Sequence, residues 1–307
     1  MERRSFLKST IAGTAVAAAL DAKTTLPRRL YKDGVKLSII GFGGIVVMGH
    51  EQAEADRIVA SVVDRSVNYF DVAPSYGDGE AEIKLGPALA PHRKDVFLAC
   101  KTGKRDGKGA QAELERSLVR LKTDHFDLYQ FHGITSMKDV DQITGPGGAG
   151  ELFLKAREQG KVRYLGVSAH SAEAALALMD RFPLDSILFP VNFVCWEQGK
   201  FGPQILEKAK SKGMARMALK SMAHTNWAAG DVRKYKYCWY RPVDDPAKAR
   251  EVVRFTLSQD ITAAIPPGDN ALFEMAMSEA ASFRPLTTNE SKALLASTAG
   301  VEPLFRA

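Results

Sequence analysis

The chain alternates between short apolar runs and longer segments in which apolar residues recur every three or four positions. Eight of the runs have the β-branched and aromatic character of buried strands. In chain order they read IIGFGG, YFDVAP, VFLACK, DLYQFH, YLGVSA, SILFPVN, MALK and TAAIPP. Segments between them, such as AEADRIVASVVDRSV and AELERSLVRLK, have the composition and spacing of amphipathic helices.

Strands that alternate with helices in this way predict an α/β fold. Eight strands over about 280 residues favour a single-domain (β/α)8 TIM barrel, in which a parallel sheet closes on itself. The segment RRLYKDGVKLS (residues 28–38) predicts a short N-terminal hairpin before the first barrel strand. An open, doubly wound sheet is the alternative, but GFGGIV (residues 41–46) lacks the GxGxxG fingerprint of such folds. We therefore assign residues 28–307 to a barrel.

The first twenty residues, MERRSFLKSTIAGTAVAAAL, combine a basic start with an uncharged, Ala-rich stretch. That stretch is too short to cross a bilayer as a finished helix, so no stable membrane anchor is expected. Arg3 and Arg4 before this stretch resemble the twin-arginine signal that directs folded proteins to the Tat export machinery. We assign residues 1–22 to a signal peptide and expect a periplasmic or otherwise exported protein. The alternative is a frayed amphipathic helix on a cytoplasmic protein.

Composition and charge restrict the function classes. A chain of 307 residues with 45% hydrophobic and 25% charged content is typical of soluble globular proteins. The 42 Lys and Arg residues exceed the 36 Asp and Glu residues by six, an excess that favours anionic small molecules without implying nucleic acid. Three cysteines, Cys100, Cys195 and Cys238, lie far apart in the sequence and indicate buried thiols rather than disulfides or a metal site.

Polar residues stand at the ends of several predicted strands. Active sites of (β/α)8 barrels gather at the C-terminal ends of the strands, so these side chains would face one common mouth. They are Asp71, Lys101, His132, Ser168, His170, Asn192 and Lys220.

Tyr76 follows the second strand closely enough to join them. A tyrosine titrates near pH ~10 and exchanges protons poorly at neutral pH unless its phenolate is stabilised. Lys101 beside Tyr76 would lower the pKa of the phenol, and Asp71 would keep the lysine charged and oriented. His132 would donate a hydrogen bond to a substrate oxygen. The four residues together predict proton transfer to or from a small molecule.

The chain resembles the aldo/keto reductases over residues 28–286. The motifs that carry the resemblance occur in order and read YFDVAPSYGDGEAEIKLGPAL, VFLACKTG, DLYQFHGI, KVRYLGVSAHS and TAAIPPG. The resemblance implies an NAD(P)H-dependent oxidoreductase that interconverts the carbonyl of a small aldehyde, ketone or sugar and an alcohol by hydride transfer. It implies that Tyr76 is the general acid/base, that Lys101 and Asp71 depress its pKa, and that His132 orients the carbonyl.

The same resemblance implies NADP(H) or NAD(H) as the cofactor and no metal. The residues expected at the cofactor are Ser168, Asn192, Lys220, Pro267, Gly268 and Asp269. His170 and Trp196 are candidates for the substrate pocket. The basic and aromatic segment RKYKYCWYRP (residues 233–242) is expected to form a solvated loop or a lid over the site, and the modest net charge disfavours nucleic acid.

Three other functions stay open at this point. A Schiff-base aldolase would use Lys101 or Lys220 as its amine, but it leaves Tyr76 without a role. A redox sensor or regulatory subunit would bind nucleotide without significant turnover. A metal-dependent isomerase would use Asp71, His132 and His170, yet the cluster of acidic strand ends that a hard cation requires is missing from the sequence.

Replacement of Arg3 and Arg4 by lysine should hold the protein in the cytoplasm, because the export machinery reads the arginine pair. The measurement is the distribution of a C-terminally tagged chain between cytoplasmic and exported fractions of a bacterial host. Arg28→Lys, which lies beyond the leader, is the matched control and should not change the distribution. Undiminished export of the double variant would contradict the assignment.

Overall fold

The computed structural model describes residues 26–307. The predicted signal peptide, residues 1–22, therefore lies outside the described residues. The described chain contains twelve strands: β1 (Arg28–Lys32), β2 (Val35–Ser38), β3 (Phe42–Gly43), β4 (Tyr69–Asp71), β5 (Phe97–Thr102), β6 (Phe126–Ile134), β7 (Val162–Ala169), β8 (Ser186–Pro190), β9 (Ala215–Leu219), β10 (Ala223–Asn226), β11 (Tyr240–Pro242) and β12 (Ala263–Ile265).

Helices follow most of the strands and form an outer layer. The same part of the chain contains eleven α-helices: α1 (Gln52–Asp64), α2 (Glu80–Leu89), α3 (Gly107–Arg120), α4 (Met137–Thr144), α5 (Ala149–Glu158), α6 (Ala172–Arg181), α7 (Phe193–Glu197), α8 (Pro203–Ser211), α9 (Pro246–Ser258), α10 (Asn270–Ala281) and α11 (Thr288–Ala296). None of these helices within residues 26–307 has both the length and the apolar character needed to span a membrane.

Eight strands, β3 to β9 and β12, form one parallel sheet in chain order. The sheet closes where Ile40 pairs with Ala264, and the amide of Gly41 donates to the carbonyl of Ala264 at 2.9 Å. This closed arrangement with flanking helices confirms the predicted (β/α)8 barrel, and each predicted apolar run supplies one barrel strand. The open, doubly wound alternative is excluded.

The predicted N-terminal hairpin is formed by β1 and β2, which pair antiparallel. Asp33 and Gly34 make its turn with positive φ angles of 49° and 80°, as two-residue hairpin turns require. Tyr31 packs its ring against Phe97 at 4.9 Å and Tyr164 at 5.1 Å between ring centroids. Because these partners lie near the starts of their strands, the hairpin covers the N-terminal end of the barrel.

Side chains inside the barrel follow the two-residue period of a strand. Tyr69, Phe97 and Ala99 belong to the apolar core inside the barrel. Two positions after Tyr69 on β4 comes Asp71, and two positions after Ala99 on β5 comes Lys101, so both share the inward-facing side. The interior therefore changes from apolar to polar at its C-terminal mouth.

Close packing of α2 against the end of α3 fixes the segment before α2, which carries Tyr76. A Cβ atom on Gly86 would lie 2.3 Å from the carbonyl oxygen of Arg120 and 2.8 Å from Cα of Leu121. Backbone atoms at such distances cannot yield by rotating a side chain. Glycine at this position is therefore required for the approach of the two helices.

Gly86→Ala should lower the free energy of unfolding by about 1–3 kcal/mol, because the added methyl group overpacks the contact between α2 and α3. Urea unfolding of both proteins measures the difference. Gly103→Ala is the matched control, since a Cβ atom there meets nothing within 4 Å. Equal stability of the two variants would show that the helices adjust without cost.

Candidate active site

Asp71 and Lys101 form an ion pair at the mouth of the barrel, with only 3% and 1% of their side chains exposed. The second carboxylate oxygen of Asp71 accepts a hydrogen bond from Nε2 of Gln130 at 2.9 Å. Lys101 Nζ also donates to the carbonyl oxygen of Val72 at 3.4 Å. Such additional hydrogen bonds offset part of the cost of burying two charges. The pair therefore holds the lysine ammonium in one place.

Tyr76 begins a tight turn, Tyr76–Gly79, soon after β4. Residues 77 to 79 have positive φ angles of 60°, 51° and 93°, which glycine adopts readily at two of the three positions. The turn brings the phenol back to the strand ends, where Lys101 Nζ donates to Tyr76 Oη at 3.2 Å. Lys101 is thus shared between Asp71 and Tyr76.

The pKa of Tyr76 differs from the sequence-based expectation. Burial raises this pKa more than the charge of Lys101 lowers it, and the charge of Asp71 also raises it. The net pKa lies above the ordinary tyrosine value, so the expected lowering does not occur in this structure. For Lys101, burial lowers the pKa, but Asp71 and Tyr76 raise it by more, so the net pKa lies above the ordinary lysine value. At neutral pH the site therefore contains a protonated phenol beside a charged ammonium.

His132 lies beside Tyr76, and the two rings meet edge to face with centroids 5.6 Å apart. Its Nδ1 is 3.4 Å from the hydroxyl oxygen of Ser75. Burial and the nearby charge of Lys101 hold the pKa of His132 well below its ordinary value. A neutral imidazole keeps one N–H that can donate to a ligand oxygen.

A cavity of about 280 Å³ opens at the mouth of the barrel. Its volume is near the lower end of the range for small-molecule sites. The predicted site residues that line it are Asp71, Tyr76, His132, Ser168, His170, Lys220, Pro267 and Gly268. A larger cavity of about 760 Å³ lies between α9 and α11 on the outer layer and includes none of these residues.

The basic and aromatic segment, residues 233–242, lies over the mouth. The sequence is compatible with either a solvated loop or a lid in this segment, and the candidate site residues include none of its members. It contributes four side chains to the cavity, namely Tyr237, Cys238, Trp239 and Tyr240. Tyr237 reaches Gly49, on which a Cβ atom would lie 2.8 Å from the phenol oxygen. Ile45 and Gln130 were also missed, although a glutamine inside the run DLYQFH is a polar residue in a buried strand.

Asn192 does not line the cavity. Its side-chain oxygen accepts hydrogen bonds from the amides of Val194 and Cys195, both at 3.0 Å, and so caps α7. Its side-chain nitrogen donates to the carbonyl oxygens of Lys220 and Ala223. All hydrogens of this amide group are therefore used within the protein, and Asn192 holds the turn after β9.

Two further candidates also lie outside the cavity lining. Trp196 packs edge to face against Phe255, with ring centroids 6.0 Å apart. Asp269 caps α10, because its carboxylate accepts from the amides of Ala271 at 3.0 Å and Leu272 at 3.3 Å. Their polar or aromatic groups serve packing and helix capping in this structure.

Three of the residues expected at the nicotinamide cofactor, Ser168, Pro267 and Gly268, lie together in the lining of the cavity. Ser168 brings a hydroxyl to the cavity, and Pro267 and Gly268 form a wall beside it. The wall is close to the segment that follows β3, since a Cβ atom on Gly268 would lie 2.3 Å from Cγ2 of Ile45. Nε2 of His170 is buried and has no hydrogen-bond partner among the described residues. In residues 26–307, no group of three or more His, Cys, Asp or Glu side chains could hold a metal ion.

Comparisons with known proteins agree with this arrangement. The family model described as "Aldo/keto reductase family" matches residues 40–264. The chain is 24% identical over 300 residues to "Uncharacterized oxidoreductase YqkF" of Bacillus subtilis (strain 168), a match that covers 88% of this chain and 96% of that protein.

Solved structures give the same result for the fold. The holo form of aldo-keto reductase AKR11C1 from Bacillus halodurans matches with a TM-score of 0.69 and 21% identity, covering 92% of this chain and 100% of that chain. Glycerol dehydrogenase AKR11B4 from Gluconobacter oxydans matches with a TM-score of 0.68 and 21% identity, covering 93% and 100%. At this identity the likeness shows the fold alone.

Burial, together with the charge of Lys220, lowers the pKa of His170 to about 4. The unfolded chain binds the same proton with a pKa of ~6.5, so between these values the unfolded state is more protonated than the folded state. The stability that the neutral imidazole provides should therefore be present above about pH 6.5 and lost as the pH falls toward 4.

Between pH 7 and pH 5, the free energy of unfolding should decrease by about 1–2 kcal/mol less in His170→Phe than in wild type. The phenyl ring retains the stacking on Phe305, whose ring centroid lies 5.0 Å from that of His170. Urea unfolding of wild type and variant at both pH values measures this difference, because the two proteins share every titratable group except residue 170. An identical decrease in the two proteins would refute the shift.

Proposed function

The chain belongs to the aldo/keto reductase family of NAD(P)H-dependent oxidoreductases, and on this basis we propose that Tyr76 is its proton donor in carbonyl reduction. The substrate that we propose is a small aldehyde, ketone or sugar, and the reverse reaction oxidises the alcohol. One observation carries the proposal, namely the contact chain from Asp71 through Lys101 to Tyr76 beside the cavity.

When bound, NAD(P)H supplies the hydride that reduces the carbonyl carbon. The carbonyl oxygen then needs a proton. Tyr76 would provide it, because burial keeps its phenol protonated at neutral pH. Lys101 donates to the same phenol oxygen and would stabilise the phenolate that remains after the transfer. Asp71 keeps the lysine charged and oriented throughout.

His132 would bind the carbonyl oxygen from the other side. Its neutral imidazole can donate a hydrogen bond without contributing a second positive charge to the site. Ser168, Pro267 and Gly268 would hold the nicotinamide end of the cofactor. Asn192 would act at a distance, because it fixes the turn between Lys220 and Ala223.

The Schiff-base alternative has less support at Lys101. An amine must be neutral to attack a carbonyl, whereas the partners of Lys101 raise its pKa and keep it charged. Its ammonium is also directed at Asp71 and Tyr76. These contacts favour a role for Lys101 as a fixed charge.

Export remains a proposal that rests on the sequence of residues 1–22, which lie outside the described part of the chain. A twin-arginine signal carries folded proteins, so the cofactor would be acquired in the cytoplasm before export. The proposed site of action is the periplasm or another compartment outside the cytoplasm.

Tyr76→Phe should lower kcat by about 10²- to 10⁴-fold, because the proton donor is lost while the ring remains. The dissociation constant of NADH or NADPH, measured by fluorescence titration, should stay within about 2-fold of wild type. Tyr164→Phe is the matched control, since its hydroxyl contacts Asp33 at 3.2 Å at the opposite end of the barrel. Wild-type turnover by Tyr76→Phe would exclude the proposed role.

A further inference from the structure

Lys220 brings an unpaired positive charge to the cavity. Of the described side chains that line the cavity, it is the only lysine or arginine. Asp71 is the only carboxylate in the same lining, and it is already bound to Lys101. No ion pair or side-chain hydrogen bond engages the ammonium of Lys220 among residues 26–307. The cavity therefore offers one cation for which the described protein supplies no anion.

The backbone of Lys220 is strained, which indicates that its position is held by its surroundings. It follows the last residue of β9 with a φ of 65°, in the left-handed region that a lysine rarely adopts. Its carbonyl oxygen accepts from the side chain of Asn192 at 3.0 Å and from the amide of Ala223 at 2.9 Å. These two hydrogen bonds hold the turn in which Lys220 lies.

Two aromatic rings flank the ammonium. Nζ of Lys220 lies 5.1 Å from the ring centroid of Trp239 and 4.9 Å from that of Tyr240. Cation–π contacts compensate in part for lost hydration, but they provide no counter-charge. An anionic group that reaches Nζ would therefore form a charge-assisted hydrogen bond in a half-buried site.

The ammonium acts on the imidazoles of the proposed reaction centre. Its charge contributes to the low pKa values of His132 and His170. Burial lowers the pKa of Lys220 itself to about 8, and the charge of Lys101 acts in the same direction. An anion bound to Nζ would thus lie within the field of the groups that surround the carbonyl.

We infer that Lys220 binds a carboxylate of the substrate, so that the enzyme prefers small oxo acids and aldehyde acids over their uncharged analogues. This inference rests on the proposed function, which orients the carbonyl end toward Tyr76 and His132. The cavity of about 280 Å³ must also receive the nicotinamide end of the cofactor, and the space that remains restricts the preference to compact substrates. The phosphates of the nucleotide carry the same kind of charge, and the experiment separates the two sources.

Two substrate pairs test the inference, succinic semialdehyde with butanal and pyruvate with butanone. Each pair keeps the carbonyl and differs in the carboxylate. Wild type should show a kcat/KM at least about 10-fold higher for the acid in one pair or both. Lys220→Met should lower the ratio of kcat/KM for the acid to kcat/KM for its uncharged partner by about 10- to 100-fold. Lys220→Arg should restore part of the preference.

The surface lysine Lys212, which pairs with Asp180, provides the matched control. Lys212→Met should leave both substrate pairs unchanged. Circular dichroism verifies that Lys220→Met is folded, and removal of a half-buried charge that has no ion-pair partner among residues 26–307 is not expected to lower its Tm. Equal kcat/KM values for acid and uncharged carbonyl in both pairs with wild type would overturn the inference.

A nucleotide origin of the anion gives a different result. If Lys220→Met raises the Kd of the nucleotide and lowers kcat/KM equally for both members of a pair, the anion is a cofactor phosphate and the inference is wrong. Succinate binding, followed through the fluorescence of Trp239 beside Lys220, needs no turnover. If wild type binds succinate and Lys220→Met does not, the anion site is supported even if no carbonyl is reduced. If carbonyls are reduced but the carboxylate has no effect, the anion site is refuted and the proposed reductase function stands.

The pH dependence supplies a further readout. The charged form of Lys220 is lost as the pH rises through about 8, so kcat/KM for the acid should fall relative to the uncharged partner above that pH. Titration of Tyr76 affects both substrates and cancels in the ratio. The ionisable groups that face Lys220 include Lys101, His132, His170, Cys195, Cys238 and Tyr240. A ratio that stays constant from pH 7 to pH 9.5 would contradict the inference.

Discussion

The buried ion pair between Asp71 and Lys101 is the constraint on which the rest of the site depends. Two charges can remain in a barrel interior only if they are held close together and hydrogen-bonded on their other sides. Adjacent parallel strands meet this condition, because Asp71 on β4 lies opposite Ala99 on β5 and Lys101 follows two residues later on the same face. Gln130 on the next strand satisfies the remaining carboxylate oxygen. The register of three strands therefore fixes the position of the ammonium that donates a hydrogen bond to Tyr76.

The charge balance of the cavity follows from this pair. Burial raises the pKa of Tyr76 more than the charge of Lys101 lowers it, and the charge of Asp71 also raises it, so the phenol stays protonated. His132 remains neutral for a related reason, since burial and the same ammonium both oppose a second cation. The field that acts on a bound carbonyl is therefore set by a few fixed groups rather than by solvent, and the unpaired charge of Lys220 stands out against it.

The sequence predicted those features that depend on neighbours along the chain. Apolar runs and helical spacing gave the barrel, and the polar residue at a strand end gave Asp71, because strand ends share one rim in this fold. The role of Asn192 could not be derived in this way, since its amide is used by α7 and by a turn 28 residues away. The raised pKa of Tyr76 was also missed, because burial depends on how loops from distant segments cover the mouth. The aromatic residues of 233–242 could be read from the sequence, but the sequence does not show that their side chains face the cavity.

The strands of the barrel differ in length around its circumference. β5, β6 and β7 have six, nine and eight residues, whereas β3 has two and both β4 and β12 have three. The seam between β3 and β12 contains the bridge from Ile40 to Ala264 and lies next to the wall formed by Ile45 and Gly268. Local opening is easiest where few backbone hydrogen bonds must break. The barrel thus combines a side of long strands, where β5 carries Lys101, with a side of short strands, where β4 carries Asp71, and the buried ion pair joins the two sides at the mouth.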